Sequence, residues 1–116
     1  MANVLKEKSF EFPVSIVQTS KELQFKNEYI LSKQLLRSGT SIGANVEEAI
    51  GAQSEKDFYS KMTVAYKEAR ESHYWIRILT DTNFLNKEES QSLLFDIEEI
   101  MKIIGSIQKT IKQKQN

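Results

Sequence analysis

Four glutamates and one histidine are the residues whose types and spacing could support metal chemistry. Glu47, Glu48, Glu68 and Glu71 lie in the middle of predicted helices, and His73 is the only histidine of the 116-residue chain. A di-iron carboxylate site needs a glutamate on each of two helices and a Glu-x-x-His pair on each of two others. His73 follows Glu71 by two residues instead of three. A bundle-core metal enzyme is therefore a remote alternative.

The sequence lacks other common catalytic arrangements. It has no cysteine, which excludes a thiolate nucleophile, a zinc–thiolate site and a disulfide framework. A single histidine does not define a Ser-His-acid arrangement, and the spacing of Gly39 and Gly43 does not match a phosphate-binding loop. We therefore predict that the protein is not an enzyme and uses no cofactor.

Small and polar residues cluster between residues 37 and 49, inside a predicted helix. Gly39 and Gly43 each cost roughly 1 kcal/mol relative to alanine in a helix interior. A helix retains such residues where another helix or a ligand comes very close, and we favour a seam of helix packing or subunit contact. Asn45 would then be a buried amide that needs partners, and a ligand contact is the alternative. The seam residues are Ser38, Gly39, Ile42, Gly43 and Asn45.

Helical periodicity dominates the chain, and strand-like alternation is absent from the sequence. We predict helices near residues 10–26, 28–50, 55–82 and 87–112. Short connections make neighbouring helices antiparallel. The sequence therefore predicts an all-α protein, with residues 1–116 forming a single antiparallel up-down-up-down four-helix bundle domain.

Capping signals support these helix starts. Ser54 and Asn86 each precede an acidic residue at the spacing of a capping box. Asn27 is placed to cap helix two, and Ser9 to cap helix one with Pro13 tolerated near its start. The first helix carries apolar residues on two sides, with Phe10, Val14 and Val17 on one and Phe12, Ile16 and Leu23 on the other.

Helix three carries more aromatic side chains than one core can hold. Tyr66 and His73 belong to a row beside the core stripe, while Tyr74 and Trp75 point to its back and flank. Aromatic side chains dominate the energetics of subunit contacts. We therefore predict a homo-oligomer whose contact includes these four residues. A wide core with a few partly exposed aromatic residues is the alternative.

Basic residues are equal in number to acidic residues over the whole chain, but some of them cluster in short segments. Lysines and arginines equal aspartates and glutamates at 16 each, so no global field attracts nucleic acid. After Met101 the chain has lysines and no acidic residue. A solvated helix face is the favoured interpretation, and phosphate binding is the alternative. The candidate nucleic-acid contacts are Lys33, Arg37, Lys102, Lys109, Lys112 and Lys114.

Several motifs together are typical of one family. They are Ser9-Phe10-Glu11-Phe12, the run QLLRSGTSIGAN at residues 34–45 followed by Glu47-Glu48-Ala49, Lys67-Glu68-Ala69 with Glu71, and Tyr74-Trp75. With the helix at 100–112, they make residues 9 to about 112 resemble the bacterial four helix bundle protein family, also called 23S rRNA-intervening-sequence proteins. The resemblance implies a four-helix bundle that assembles as a ring-like homopentamer.

The chain is also similar to the accessory proteins of diversity-generating retroelements, which are basic pentamers that partner a reverse transcriptase and RNA. This chain lacks their positive balance. We expect a non-enzymatic, oligomeric interaction module whose partner is RNA or a reverse-transcriptase-like protein. The alternative is direct RNA or DNA binding through a basic surface of the assembled ring. No apolar run has the length of a membrane span, so we expect a cytoplasmic protein without a membrane partner.

Overall fold

The computed structural model describes residues 2–115, and this part of the chain forms four α-helices and no β-strand. The helices are α1 (Ala2–Phe25), α2 (Ile30–Ile50), α3 (Glu55–Asp81) and α4 (Lys87–Gln115). They lie side by side in a body of 49 × 21 × 20 Å. α1 contacts α2 and α4, and α3 contacts α2 and α4. α1 and α3 therefore lie diagonally across the core, as do α2 and α4. The prediction of four helices is confirmed.

α1 differs most from its prediction because it begins at Ala2 instead of near residue 10. Ser9 is not an N-cap: it is buried in the helix interior, and its hydroxyl donates to the Lys6 carbonyl at 3.2 Å. Pro13 lies inside the helix. Proline has no N–H to donate to the carbonyl four residues earlier, so the Ser9 carbonyl lacks its usual helical donor. Tertiary packing of α1 thus overrides a local signal for a helix start.

The expected cap of α2 is also wrong. Asn27 has a φ of 66° and lies in the turn after α1 instead of capping α2. The carboxylate of Glu28 takes that role, since its Oε1 accepts from the backbone N–H of Leu31 at 2.6 Å and of Ser32 at 3.0 Å. A negative group at this position also suits the positive end of the helix dipole.

The predicted caps of α3 and α4 are confirmed. Ser54 Oγ accepts from the backbone N–H of Asp57 at 3.0 Å. Asn86 and Glu89 form a reciprocal capping box, in which Asn86 Oδ1 accepts at 2.8 Å and Glu89 Oε1 accepts at 3.4 Å. These local bonds satisfy backbone donors that have no partner within the helix.

An apolar core runs along the length of the molecule, and each helix contributes one stripe to it. On α1 the stripe is the row that contains Phe12, Ile16 and Leu23, all almost fully buried. Hydroxyl pairs are embedded between successive helices, and each pair satisfies polar atoms that would otherwise be costly to bury. They are Ser20 with Ser32, Ser38 with Ser72, and Thr80 with Ser90, each pair 2.7 Å apart.

Candidate interaction surfaces

Gly39 and Gly43 allow α2 to approach α1 closely. A Cβ at Gly43 would lie 2.3 Å from the Ser9 carbonyl oxygen and 3.3 Å from Cγ of Pro13. A Cβ at Gly39 would lie 2.9 Å from Cγ2 of Ile16. The Ser9 carbonyl is the one that Pro13 deprives of its helical donor, and glycine leaves room for it. The glycine seam is therefore a contact between two helices of the same chain.

The other predicted seam residues have different surroundings. Ser38 and Ile42 are fully buried in the core. The expectation that Asn45 is a buried amide is wrong, because Asn45 is half-buried and Val46 takes the core position beside it. The Nδ2 of Asn45 donates to the backbone oxygen of Ser41 at 2.8 Å and to its hydroxyl at 3.1 Å. Asn45 thus finds its acceptors within its own helix.

Arg37 joins α2 to α3 through two carboxylates. Its Nη1 donates to Glu68 Oε2 at 3.0 Å, and its Nη2 donates to Glu71 Oε2. Trp75 Nε1 donates to the same Glu71 oxygen at 3.0 Å. Burial acts to lower the pKa of Arg37, but the Glu71 hydrogen bond and the charges of both glutamates outweigh it and raise the pKa. Arg37 is therefore engaged within the chain instead of being available to a phosphate.

The aromatic residues of α3 divide between the core and the surface. Tyr66 and Trp75 are half-buried and pack against the core. Tyr74 is 48% exposed, and its ring centroid lies 5.1 Å from that of Trp75 in a tilted arrangement. Tyr74 is thus the residue of this group that leaves the largest apolar surface uncovered.

His73 lies at the boundary between α3 and α4, away from the core. Its Nδ1 accepts from Nε of Arg77 at 3.1 Å, and its Nε2 lies 3.5 Å from Glu98 Oε2. Glu47 and Glu48 are exposed on α2. Across residues 2–115, no group of three histidine, aspartate or glutamate side chains is arranged to hold a metal ion.

The outward side of α1 is an apolar surface that sequence reasoning did not single out. Phe10 is 69% exposed, and Val14 and Val17 are also exposed. Together with Pro13 and Ala44, they line a groove of about 260 Å³ between α1 and α2. The helical spacing of this row was visible in the sequence. Its exposure follows only from the fact that the opposite row fills the core.

The chain matches the model of the 23S rRNA-intervening sequence protein family over residues 2–106. The chain belongs to that family. A crystal structure from Bacteroides thetaiotaomicron, of a protein with unknown function from the S23 ribosomal protein family, superposes with a TM-score of 0.89. The two chains are 47% identical over 90% of this chain and 98% of the other. A comparison with curated proteins finds no match. The predicted family resemblance is confirmed.

This 23S rRNA-intervening sequence protein does not gather its candidate phosphate-binding residues in one place. Two of them lie on α2 and four on α4, and these helices are diagonal to each other in the core. All six are exposed, although Arg37 is held by two glutamates. The larger group is the one on α4, and it comprises Lys102, Lys109, Lys112 and Lys114.

Two further hollows border α4 in this family member. One lies between α1 and α4, and Lys8 and Asp96 are among its lining residues. The Nζ of Lys8 lies 3.1 Å from Glu99 Oε1. Burial raises the pKa of Asp96, and nearby Glu99 adds to that effect. The other hollow measures about 630 Å³, and Phe58, Ile111 and Lys114 contribute to its lining. Within residues 2–115, no helix is long and apolar enough to cross a membrane.

Proposed function

We propose that this protein is a non-enzymatic, homo-oligomeric interaction module, built as an antiparallel up-down-up-down four-helix bundle that assembles into a ring-like homopentamer. The pairing of contacts supports the antiparallel order, because residue numbers fall along one helix as they rise along the next. Examples are Ile16 with Gly39, Ser9 with Gly43, Arg37 with Glu71, Glu48 with Lys61, Thr80 with Ser90, and Thr63 with Gln108.

The exposed apolar side of α1 is the observation that carries the proposal of self-association. Phe10, Val14 and Val17 are exposed in a row along it, and Phe25 continues the same side with 91% of its surface exposed. Burial of apolar surface is worth about 25 cal/mol per Å², so contact with a second copy would recover a substantial free energy. A contiguous apolar patch on a small domain is typical of an interaction site.

Replacing Phe10 with arginine tests this proposal. We expect the wild type to have the mass of an oligomer and Phe10→Arg to have that of a folded monomer, because a charge on the apolar row opposes its burial. Light scattering during size-exclusion chromatography measures both masses. Phe95→Arg on α4 is the matched control, since Phe95 is similarly exposed at 64% against 69% for Phe10. A wild type that stays monomeric at high micromolar concentration would refute the proposal.

The proposed partner of the assembled module is RNA or an RNA-linked enzyme such as a reverse-transcriptase-like protein. Membership of the 23S rRNA-intervening sequence protein family supports a link to RNA, although the family name does not identify a biochemical activity. Direct RNA or DNA binding is the second candidate, favoured by the exposed lysines near the end of α4. Symmetry would repeat that group in each subunit, and multiple phosphate contacts strengthen binding.

Binding to a structured ribosomal RNA fragment, titrated across salt concentrations, tests the second candidate. If the α4 lysines contact phosphates, we expect affinity to fall steeply as salt rises, and Lys109→Glu/Lys112→Glu to weaken binding at least tenfold. Lys21→Glu/Lys87→Glu serves as a charge-matched control, since both lysines are exposed and Lys87 lies at the opposite end of α4. Binding that is absent at physiological salt, or unaffected by the α4 changes, would exclude the α4 surface and leave a protein partner as the remaining proposal.

A further inference from the structure

The outward side of α3 presents an aromatic residue among cations. Along the helix, Lys67 lies about two turns before Tyr74, Arg70 one turn before it and Arg77 one turn after it; the Arg77 guanidinium is 5.9 Å from the Tyr74 ring centroid. None of these three cations forms an ion pair with a carboxylate of residues 2–115. Arg37, by contrast, is satisfied by two carboxylates. The exposed carboxylate of Asp81 lies one turn after Arg77 on the same side, so three cations and one acid leave a net charge of about +2. The outer side of α3 is therefore both apolar and, on balance, positively charged.

The outward side of α1 presents the opposite combination. A hollow of about 290 Å³ surrounds Phe10, and Glu7, Glu11 and Glu47 line it together with Lys6. The three carboxylates form no ion pair within residues 2–115. The three acids and Lys6 give the surroundings of Phe10 a net charge of about −2, whereas most of the charged groups around Tyr74 on α3 are cations.

We propose that these two surfaces bind each other between neighbouring copies of this chain. We define the acidic face as Phe10, Val14, Val17, Glu7, Glu11 and Glu47, and the basic face as Tyr74, Ile78, Lys67, Arg70 and Arg77. The inference rests on the proposed oligomer and adds which surfaces form its contact. Phe10 and its neighbours would cover Tyr74 and Ile78, while the carboxylates would meet the cations around them.

Charge decides between this contact and a symmetric one. Two acidic faces would bring carboxylates together, and two basic faces would bring cations together, and like charges across an interface oppose association. A contact between the acidic face of one copy and the basic face of another places opposite charges across from each other. Such a contact is heterologous, because each copy contributes a different surface to each of its two neighbours.

The two faces lie on different sides of the molecule. α1 and α3 lie diagonally across the core, so the faces point to different sides of a body about 20 Å wide. One copy can therefore hold a neighbour on each side at the same time. A hollow of about 230 Å³, lined by Tyr74, Arg77 and Ile78 together with Asp81 and Thr82, offers space for a side chain of the neighbour. Heterologous contacts that close on themselves generate rings.

A mixing experiment with two variants tests the inference. Phe10→Arg removes the acidic face and keeps the basic face, whereas Lys67→Glu/Arg70→Glu removes the basic face and keeps the acidic face. We expect each variant alone to be a folded monomer. An equimolar mixture should form a 1:1 heterodimer and nothing larger, because only one pair of intact faces remains. Native mass spectrometry distinguishes the two variants by mass, and circular dichroism checks that each is folded.

The outcomes separate this inference from the proposed oligomer. A monomeric wild type would overturn both. An oligomeric wild type with Lys67→Glu/Arg70→Glu still at the wild-type mass would overturn only the assignment of the basic face. A rescue experiment adds a positive readout: the chain with Glu7→Lys, Glu11→Lys, Lys67→Glu and Arg70→Glu exchanges the two charges, and we expect it to regain the oligomer that either pair of changes alone abolishes. Failure of both the mixture and the rescue would also overturn the inference.

Discussion

Gly43→Ala is expected to lower the free energy of unfolding more than an alanine at any of the other three glycines. The added Cβ would lie 2.3 Å from the Ser9 carbonyl oxygen, and a backbone atom cannot rotate away as a side chain can. α1 and α2 would have to separate, and overpacking of this kind costs about 1–3 kcal/mol. Because alanine otherwise favours a helix over glycine by about 1 kcal/mol, the net loss is smaller than the cost of the clash by about that amount. We expect Gly43→Leu to prevent cooperative folding.

Urea denaturation of the glycine variants measures this effect. Gly105→Ala is the matched control, since no atom lies within 4 Å of the Cβ it would add on α4. It should raise the free energy of unfolding by about 0.5–1 kcal/mol. Gly39→Ala should fall between the two because the clashing group, Ile16 Cγ2 at 2.9 Å, belongs to a side chain that can shift. Equal stability of Gly43→Ala and Gly105→Ala would contradict the close approach.

The glycine seam could be predicted from the sequence, but its partner could not. Gly39 and Gly43 cost helical stability, and that cost alone indicated a close approach. The partner is the middle of α1, which the sequence obscured because Pro13 and Ser9 together have the pattern of a helix start. Burial of Leu5 in the core helps to hold the first turns of α1 in place, and a local pattern does not report a tertiary contact of that kind.

The partners of charged residues were not fixed by the sequence. Arg37, a candidate phosphate contact by type, instead pairs with Glu68 and Glu71 and leaves those carboxylates engaged on the surface. The role of Glu28 as the cap of α2 was missed because Asn27 is the stronger capping residue by type. Asn27 instead adopts a φ of 66° in the turn, a conformation that asparagine tolerates better than most residues.

The apolar surface of α1 was the least predictable feature, because two rows of similar hydrophobicity compete for the core. Phe10, Val14 and Val17 form one row, and Phe12 and Ile16 belong to the other. Only the packing of the whole molecule decides that the second row is inside. The prediction of self-association therefore used residues of α3 and the glycine seam of α2, and it did not include α1.

Phe12→Ala and Phe10→Ala, two residues apart on one helix, are expected to have opposite consequences. Phe12 is 2% exposed and Phe10 is 69% exposed. Phe12→Ala should lower the free energy of unfolding by about 3–5 kcal/mol, since it leaves a cavity in the core. Phe10→Ala should change the stability of the separated monomer by only about 0.5 kcal/mol. It should nevertheless shift the mass distribution towards monomer, because the lost ring belongs to the proposed contact.

Protein concentration separates the two effects in a single set of measurements. Binding between copies adds stability that depends on concentration, whereas core packing within one chain does not. The loss caused by Phe12→Ala should therefore be the same at low and high concentration. The loss caused by Phe10→Ala should grow as concentration rises, because only the wild type gains from association. A loss for Phe10→Ala that is large and independent of concentration would place its ring in the core of the chain, and the exposed row of α1 would then lose its role as a subunit contact.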